Sequence, residues 1–279
     1  MIVRCWGARG AIPVSGEEYL KYGGDTTCME VRTKDDEIII IDAGTGIRRL
    51  GNSLLDEDRR RYAMFFTHAH WDHLLGFPFF KPIYLRETRI AIYGCPFAQK
   101  SLGEMLSRTM SPPNFPVNFA GIKADIAYHE SCDDLVSLKS VTATPINLSH
   151  PNGGLGYKFI EDGRSFVFLT DNELMFKHPG GFDYHDYLEF SADADLLIHD
   201  AEYREEEYGK TRAWGHSTYK DALRLALDAG VKKLGLFHHN QDRSDQSIDD
   251  ILEDCRKIIA EQNASLECFA ACPGMEIPL

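Results

Sequence analysis

The sequence predicts an α/β fold with two β-sheets, and two observations lead to this prediction. Apolar stretches of strand length alternate with stretches whose apolar residues recur at helical spacing. In the middle of the chain, strand-like segments follow one another without a helix between them, which indicates a second sheet rather than a second domain. We therefore expect a single domain over residues 1–279, a length that is ample for a sizeable hydrophobic core.

The first half of the chain predicts strands that end in polar residues. Strands are expected at residues 2–5, 28–33, 37–41, 62–67 and 89–93, and helices at residues 47–55 and 98–110. The apolar run from Ile38 to Ile41 leads directly into Asp42, so a buried strand presents a carboxylate at its end. A Pro-rich break at residues 111–116 is either a simple connector, which we favour, or a loop over the site.

The second half of the chain predicts further strands and two helices. Strands are expected at residues 136–144, 155–161, 165–170, 194–200, 231–237, 266–271 and 275–277. A helix over residues 217–229 is expected to stop at Gly230, and a helix over residues 247–262 has its apolar residues on one face. Ser247 and Asp250 have the spacing of a capping box for this last helix.

The segment from Thr67 to His73 is a strong candidate for a metal site. It holds four metal-binding side chains, His68, His70, Asp72 and His73, directly after an apolar run. Imidazole and carboxylate together suit zinc and similar divalent metals. In an extended segment His68 and His70 point the same way. Asp72 and His73 follow where the chain can turn into a helix, so one short loop could serve two adjacent metals.

Four more polar side chains end apolar strands elsewhere in the chain. They are His150, Asp171, Asp200 and His238. Burying unpaired charges at such positions is costly, and a shared metal site would remove that cost for all of them. In open α/β sheets, functional sites gather at the carboxyl ends of strands, which is where these residues are expected.

Composition and charge limit the classes of partner. The chain is 43% hydrophobic and 26% charged, which is typical of a globular protein, and its formal net charge is -13. An acidic surface repels phosphate backbones, so extended nucleic acid is not an expected partner. A local basic patch or a pair of metals would still attract a small anion.

The seven cysteines are scattered and form no regular disulfide framework. Free thiols predict a reducing compartment, and hence the cytoplasm. The first residues lack the apolar core of a signal peptide, and no apolar run approaches the roughly 18 residues of a membrane span. We therefore expect no contact with a membrane.

Two segments carry a resemblance to a known family. The first is Thr67 to His73. The second begins with His199-Asp200-Ala201-Glu202, continues with Gly215-His216-Ser217-Thr218, and ends at the strand-terminal His238. The chain resembles the metallo-β-lactamase-fold hydrolases, and within them the RNase Z-like phosphodiesterase branch, from Gly23 to Met275. The resemblance implies an αββα sandwich, in which two packed mixed β-sheets are flanked by helices.

The resemblance also implies a pair of divalent metal ions. His68, His70 and His150 would hold one metal, while Asp72, His73 and His238 would hold the other. Asp171 would bridge the two ions. Zinc is favoured, and manganese and iron also tolerate these ligands. A hydroxide that bridges the metals would attack the phosphorus of the substrate.

The expected catalytic residues are His216, Asp200 and, as a metal ligand, Asp72. His216 would stabilise the developing charge or protonate the leaving alkoxide, and Asp200 would orient it through its other ring nitrogen. The alternative for His216 is a polar residue at a helix N-terminus.

Asp42 is expected to form hydrogen bonds within the ligand loop. His238 and His239 are adjacent, so only one should point at the metals. We favour His238, with His239 as a substrate contact or a replacement ligand. The remaining histidines that we assign to the surface or to packing are His129, His178, His185 and His199.

The implied function is hydrolysis of a small phosphodiester, with a cyclic nucleotide as a candidate, by a dinuclear metal-dependent phosphodiesterase. One alternative is a tRNA 3′-processing endoribonuclease, but that activity usually goes with a basic, Gly-rich arm that this chain lacks. Another is a non-catalytic metal-bound sensor, which has no need of His216 and Asp200. A redox di-iron protein of this fold favours Glu where this chain has His70.

Relatives often form dimers, so a homodimer is considered, although no exposed apolar stripe in the sequence indicates one.

Overall fold

Two β-sheets of seven strands each form the centre of the computed structural model, which describes residues 1–97, 100–130 and 132–279. The first sheet contains β1 (Ile2–Gly7), β2 (Cys28–Arg32), β3 (Ile38–Ile41), β4 (Arg61–Phe65), β5 (Arg89–Gly94), β6 (Asp125–Glu130) and, from the end of the chain, β14 (Glu276–Pro278). The second sheet contains β7 (Val136–Leu138), β8 (Val141–Asn147), β9 (Leu155–Glu161), β10 (Arg164–Leu169), β11 (Leu196–Asp200), β12 (Lys233–Phe237) and β13 (Glu267–Ala270).

Both sheets are mixed. The first has the order β14-β1-β2-β3-β4-β5-β6 and is parallel from β3 to β6. The second has the order β13-β12-β11-β10-β9-β8-β7 and is parallel from β10 to β13. The parallel pairing brings the carboxyl ends of β3 and β4 to one edge of the first sheet, and those of β10, β11 and β12 to one edge of the second.

Seven α-helices accompany the strands in the described residues. They are α1 (Ile47–Asp56), α2 (Trp71–Leu74), α3 (Leu102–Thr109), α4 (Tyr184–Ser191), α5 (Glu205–Thr211), α6 (Tyr219–Asp228) and α7 (Asp245–Glu261). Short 3-10 helices are formed by Glu17–Tyr19, Phe77–Phe79, Lys81–Tyr84 and Phe119–Gly121. In the part of the chain that the structure describes, no helix has both the length and the apolar character needed to cross a membrane.

Three clusters of buried apolar residues separate the layers of the molecule. The cluster between the sheets contains Phe65 of β4 and Phe166 of β10. A second cluster packs α1 and α3 against the outer face of the first sheet, and it includes Leu50. A third packs α4, α6 and α7 against the outer face of the second sheet, and it includes Leu223 and Ile251. The order of layers is helix, sheet, sheet, helix, so the predicted αββα sandwich is confirmed.

The strand β11 shows why the sequence of this sheet reads as a continuous apolar run. Leu196 and Ile198 belong to the cluster between the sheets, whereas Leu197 points to the helices on the other face. Because a parallel strand in this fold is covered on both faces, every position of it is apolar until the strand ends. Polar residues occur only at His199 and Asp200, at the carboxyl end of the strand.

Several elements differ from the sequence-based expectation. The single strand expected at residues 136–144 is two antiparallel strands, β7 and β8, joined by a turn with Lys139 at a φ of 42°. The strand β6 was not predicted because its residues are mostly exposed and show no alternation. The helices α4 and α5 were not predicted either. Of the helix expected at residues 98–110, the structure describes residues from 100 onward and forms it at Leu102–Thr109.

The predicted capping box of the last helix is wrong. The helix α7 begins at Asp245, and its cap is Ser244, whose side chain accepts a hydrogen bond from the backbone N–H of Ser247. The helix therefore starts two residues before the predicted position. The spacing of Ser247 and Asp250 belongs to its first turns, where the same residue types are common.

The prediction that all cysteines are free is wrong for one pair. Cys95 and Cys132 form a disulfide. They follow β5 and β6, which pair in parallel with Gly94 opposite Glu130, so the register brings the two thiols together. The free cysteines are Cys5, Cys28, Cys255, Cys268 and Cys272. A cytoplasmic location remains a prediction that rests on these thiols.

Stability is expected to depend on the cluster between the sheets. Phe159 of β9 is 0% exposed, while its neighbour Ile160 points outward and is 37% exposed. We expect Phe159→Ala to lower the free energy of unfolding by about 3–5 kcal/mol, because it removes a buried ring and leaves a cavity. The matched variant Ile160→Ala should cost less than about 1 kcal/mol. Urea unfolding followed by circular dichroism measures both, and equal losses would contradict the assigned layers.

Candidate metal centre

The segment after β4 presents its ligands in two directions. His68 and His70 lie between the end of β4 and the helix α2, which begins at Trp71, and the backbone of His70 is extended at φ −68° and ψ 155°. His68 and His70 therefore precede the helix, whereas Asp72 and His73 lie in its first turn. This is the change of direction that the sequence suggested for a loop serving two metals.

The first group of ligands combines three imidazoles and a carboxylate. The ligand atoms of His68, His70, His150 and Asp171 all lie within 4.8 Å of one another. His150 Nε2 is 3.1 Å from His70 Nδ1, and His68 Nε2 is 3.5 Å from Asp171 Oδ2. Residues from β4, β8 and β10 are thus brought to one point, although they are far apart in the sequence.

The second group shares Asp171 with the first. The ligand atoms of Asp72, His73, Asp171 and His238 also lie within 4.8 Å of one another. His73 Nε2 is 3.2 Å from Asp171 Oδ1 and 3.3 Å from Asp72 Oδ2. His238 Nε2 is 3.1 Å from Asp72 Oδ2 and 3.4 Å from Asp171 Oδ2. The carboxylate of Asp171 therefore lies between the two groups.

Three of the strands end in residues with a left-handed backbone. Asp42, Asp171 and His238 have φ values of 61°, 53° and 56°. Such values are uncommon for residues other than glycine and are found where the surrounding structure compensates for the strain. At each position the chain turns sharply as the strand ends, and all three side chains take part in the ligand groups or their support.

Hydrogen bonds fix the outer nitrogen of several rings. His73 Nδ1 is 2.8 Å from Asp42 Oδ2, and Asp42 also accepts bonds from the N–H and hydroxyl of Thr67, both at 2.8 Å. His150 Nδ1 donates to the carbonyl of Gly215 at 2.9 Å. With Nδ1 engaged as donor, Nε2 of each ring faces the centre and would offer its lone pair to a metal, which is the usual arrangement of metal-binding histidines. Asp42 thus forms the bonds expected of it.

The donor atoms fit divalent cations. Nε2 of His68 and of His73 are buried and have no hydrogen-bond partner among the described residues. A buried polar atom without a partner is costly, and a metal ion would provide the missing partner for both. Each group offers imidazole nitrogens and carboxylate oxygens, the donor set that zinc, manganese and iron accept.

The pKa directions describe a centre of closely spaced, interacting charges. Burial would raise the pKa of Asp72 and of Asp171, but the neighbouring imidazoles hold both well below the usual range, so the carboxylates are charged. Burial lowers the pKa of His150 to about 3, and that of His68 falls as well, so both rings are neutral. Burial opposes protonation of His73, yet the surrounding carboxylates raise its pKa well above the ordinary value. His238 behaves in the same way, because Asp171, Asp72 and Glu202 raise its pKa well above the ordinary value.

A third group lies next to the ligands. His216 Nδ1 is 2.6 Å from Asp200 Oδ2, and the ring of His216 stacks on that of His238 with centroids 4.6 Å apart. Burial would lower the pKa of His216, but the charges of Glu202 and Asp200 raise it to about 9. The predicted pairing of His216 with Asp200 is present, on the side of the centre that faces the cavity.

One carboxylate of this region was missed by the sequence analysis. Glu202 is buried, and its Oε2 accepts a hydrogen bond of 2.9 Å from His238 Nδ1, while Oε1 accepts one from Asn240. It therefore fixes the ring of His238 in the way that Asp42 fixes His73. The sequence feature that could have identified Glu202 is its position in the motif His199-Asp200-Ala201-Glu202, two residues after Asp200.

The structure distinguishes the two adjacent histidines. His238 lies in the ligand group, whereas His239 points to the neighbouring strand, where its Nε2 donates to the carbonyl of Ala271 at 2.9 Å. Burial lowers the pKa of His239 to about 3. His129 stacks on Tyr93 and His185 is exposed, while two others are buried: His178 and His199.

The ligands open into a cavity of about 770 Å³. Its lining includes His70, Asp72, Asp171, His216 and His238, and its wall is completed by α5. Two indoles, Trp71 and Trp214, also line it, with exposures of 77% and 61%. Concave sites of this size hold small organic molecules.

Comparisons with known proteins agree with this geometry. Residues 37–239 match the family model described as beta-lactamase superfamily domain. The chain is similar to Ribonuclease Z of Haloarcula marismortui, with 24% identity over 92% of this chain and 91% of that protein. Its fold is similar to human tRNase Z, short form, with a TM-score of 0.67 and 20% identity over 100% of this chain and 99% of that one. It is also similar to a diphosphatase from the PhnP family, with a TM-score of 0.67 and 18% identity over 100% and 97%.

The family match covers more than half of the chain and includes every strand end that carries a ligand. The resemblance expected from Thr67 to His73 and from the second segment is therefore confirmed. The chain belongs to the beta-lactamase superfamily and is a metallo-β-lactamase-fold hydrolase that is similar to Ribonuclease Z along nearly its whole length.

Proposed function

We propose that this chain is a dinuclear metal-dependent phosphodiesterase that hydrolyses a small phosphodiester. The observation that supports the proposal is the carboxylate of Asp171, which is shared by two ligand groups beside a His216–Asp200 pair on a cavity wall. Two-metal hydrolases of phosphate esters need these parts together: ligands for a metal pair, a proton donor and a space for the substrate.

The residues that would hold the metals follow from the two groups. His68, His70 and His150 would bind one ion, and Asp72, His73 and His238 the other, with Asp171 between them. When bound, two divalent ions supply charge neutralisation at phosphoryl oxygens and make hydroxide available near neutral pH. Zinc is the first candidate, and manganese and iron suit the same donors.

The protein's own contribution is to orient the substrate and to supply a proton. His216 lies on the cavity wall with Nδ1 bound to Asp200, which leaves Nε2 to donate a proton to the departing oxygen. Asp200 is held in turn by the backbone N–H groups of Glu202 and Ser217, at 3.1 and 3.3 Å. The ring therefore has a fixed orientation, which is what a general acid requires.

The cavity favours a substrate with one phosphate and a flat organic group. Trp71 and Trp214 offer faces on which an aromatic base can stack, as in the cyclic nucleotides considered from the sequence. The rim contains Glu206 and Glu207 from α5, with Lys210 as the basic residue of that helix in the lining. Together with the net charge of -13, this rim would repel a long polyanion more strongly than a small monoanion.

A second candidate function is tRNA 3′ processing. It is favoured by the similarity to Ribonuclease Z along nearly the whole chain and by the fold shared with human tRNase Z. The same metal groups would serve both activities, so the choice between them depends on the surface that surrounds the cavity. The net charge of -13 and the two indoles that line the cavity are the observations that make us prefer the small substrate.

Loss of the shared carboxylate should affect both metals. We expect Asp171→Asn to reduce bound metal well below two ions per chain and to lower hydrolysis of bis(p-nitrophenyl) phosphate by at least about 100-fold, because even partners outside the ligands contribute 10- to 100-fold. Metal analysis by mass spectrometry after equilibration with Zn²⁺ measures the first effect. Asp195→Asn, which removes a carboxylate at the opposite end of β11, is the control. Full metal content in Asp171→Asn would contradict the assigned ligands.

Removal of the proposed acid should leave the metals in place. We expect His216→Ala to retain nearly normal metal content but to hydrolyse a cyclic nucleotide about 10²–10⁴-fold more slowly, because general acid catalysis contributes that much. His185→Ala, which removes an exposed imidazole of α4, should leave the rate unchanged. Unchanged turnover in His216→Ala would refute its role as acid.

The substrate class is tested by comparing the hydrolysis rates of the two candidate substrates. We expect faster hydrolysis of 3′,5′-cyclic AMP than of precursor tRNA, with a rate that changes little between 50 and 200 mM salt, since roughly one phosphate is bound. Trp71→Ala should raise KM for the cyclic nucleotide about 5- to 100-fold through loss of base stacking. Phe182→Ala, which removes a ring outside the cavity lining, is its control. Efficient and strongly salt-dependent cleavage of precursor tRNA would instead establish the second candidate.

A further inference from the structure

Glu173 is a buried carboxylate for which the proposed mechanism has no role. It lies two residues after Asp171, is 1% exposed, and accepts four hydrogen bonds. Its Oε1 accepts from the hydroxyl of Tyr208 and from the N–H of Ala213, both at 2.7 Å. Its Oε2 accepts from the N–H of Gly215 at 2.8 Å and from His178 Nε2 at 2.9 Å. Burial of a charge is tolerated here because each oxygen has two donors.

Three of these donors belong to one segment, residues 208–215. This segment leads from the end of α5 to the proposed acid His216 and includes Trp214 of the cavity wall. Ala213 and Gly215 have φ values of 70° and 97°. The left-handed conformation is unfavourable for Ala213, so the hydrogen bond to Glu173 compensates for a local backbone strain. The carboxylate thus holds the segment in a conformation that it would not adopt alone.

The same segment is in contact with a predicted metal ligand. The carbonyl of Gly215 accepts the hydrogen bond from His150 Nδ1 at 2.9 Å, and a side chain at Gly215 would overlap the ring of His150. Glu173 also reaches His150 from the other side, because its own N–H donates to the carbonyl of Ser149 at 2.9 Å. One residue therefore connects the loop of the acid, the loop of His150 and the strand end of Asp171.

We propose that Glu173 is a positioning residue that sets the place of His216 and the ring orientation of His150 through the 208–215 segment. It does not line the cavity, so it acts through these residues and not on the substrate. The effect of Glu173 on catalysis rests on the proposed function. That Glu173 holds the 208–215 segment in place can be tested in the protein without metal or substrate.

The first measurement concerns the backbone of the purified full-length protein without added metal. We expect Glu173→Gln to increase hydrogen exchange of peptides that cover residues 208–216 by at least about 10-fold, because an amide replaces two acceptors with one acceptor and one opposing donor. Asp195→Asn is the matched control: Asp195 is also buried, and it accepts a backbone N–H from Ser165 at 2.9 Å. This control should not change exchange at residues 208–216.

The second measurement separates positioning of the acid from general damage. With the metal-loaded enzyme, we expect Glu173→Gln to lower kcat for 3′,5′-cyclic AMP, which has a poor leaving group, about 10- to 100-fold. Hydrolysis of bis(p-nitrophenyl) phosphate, whose leaving group needs little protonation, should fall much less. A loss of stability alone would reduce both rates by the same factor, as expected for Asp195→Asn.

Two results would overturn the proposal. One is unchanged exchange at residues 208–216 in Glu173→Gln, and the other is an equal loss of rate on both substrates. If Glu173→Gln does not fold, Tyr208→Phe removes a single donor and should give the same pattern with smaller changes. If the wild-type enzyme hydrolyses neither diester, the proposed function fails, and the exchange measurement still decides whether Glu173 holds the segment.

Discussion

The carboxylate of Asp171 is the group on which the rest of the site depends. It is buried at the end of β10 in a left-handed conformation, and Thr170 donates to its Oδ1 at 2.7 Å. Its two oxygens lie 3.2–3.5 Å from nitrogens of His68, His73 and His238. Burying this carboxylate is costly, and the buried Nε2 atoms of His68 and His73, which have no hydrogen-bond partner among the described residues, add to the cost. Cations shared between the two groups would remove both costs, because they would balance the charge of the carboxylate and bind the ring nitrogens.

Hydrogen bonds orient three of the rings toward the candidate metal centre. A ring that binds a metal through one nitrogen donates a hydrogen bond outward through the other, and here different elements supply the acceptor. Asp42 at the end of β3 serves His73, the carbonyl of Gly215 serves His150, and Glu202 serves His238. Two of the acceptors are carboxylates and one is a neutral carbonyl. Because a charged acceptor raises the basicity of the ring more than a neutral one, the two metal positions are expected to differ in affinity. The group that contains His73 and His238 has the two charged supports, so under the proposed function we expect it to bind its ion more tightly.

The sequence predicts those parts of the site that depend on local spacing or on strand ends. The ligands His68 to His73 are close in sequence, and Asp171 and His238 are recognisable because polar residues end apolar parallel strands whose carboxyl ends meet. Support from Glu173 is not predictable in this way. It depends on where loops return to the sheet, and no periodicity describes that. The disulfide of Cys95 and Cys132 depends on β6, whose exposed residues carry no strand pattern. Contacts that depend on strand register, or on where distant loops return to the sheet, are therefore not predictable from the sequence alone.

The fold does not choose the substrate. The chain has the same TM-score of 0.67 with a tRNase Z and with a diphosphatase, although their names assign them different substrates. The strands place the candidate metal ligands at their carboxyl ends, whereas the choice of substrate depends on the side chains that surround this site. In this chain those groups belong to α5 and to the segment that follows it: Glu206 and Lys210 are charged residues of the rim, and Trp214 gives it a flat apolar face. Glu173 ties this segment to the strand that carries Asp171. Under the proposed function, one buried carboxylate connects the loop that would select the substrate to the candidate metal ligands. We therefore expect changes in the loop that keep its bonds to Glu173 to alter specificity without loss of metal.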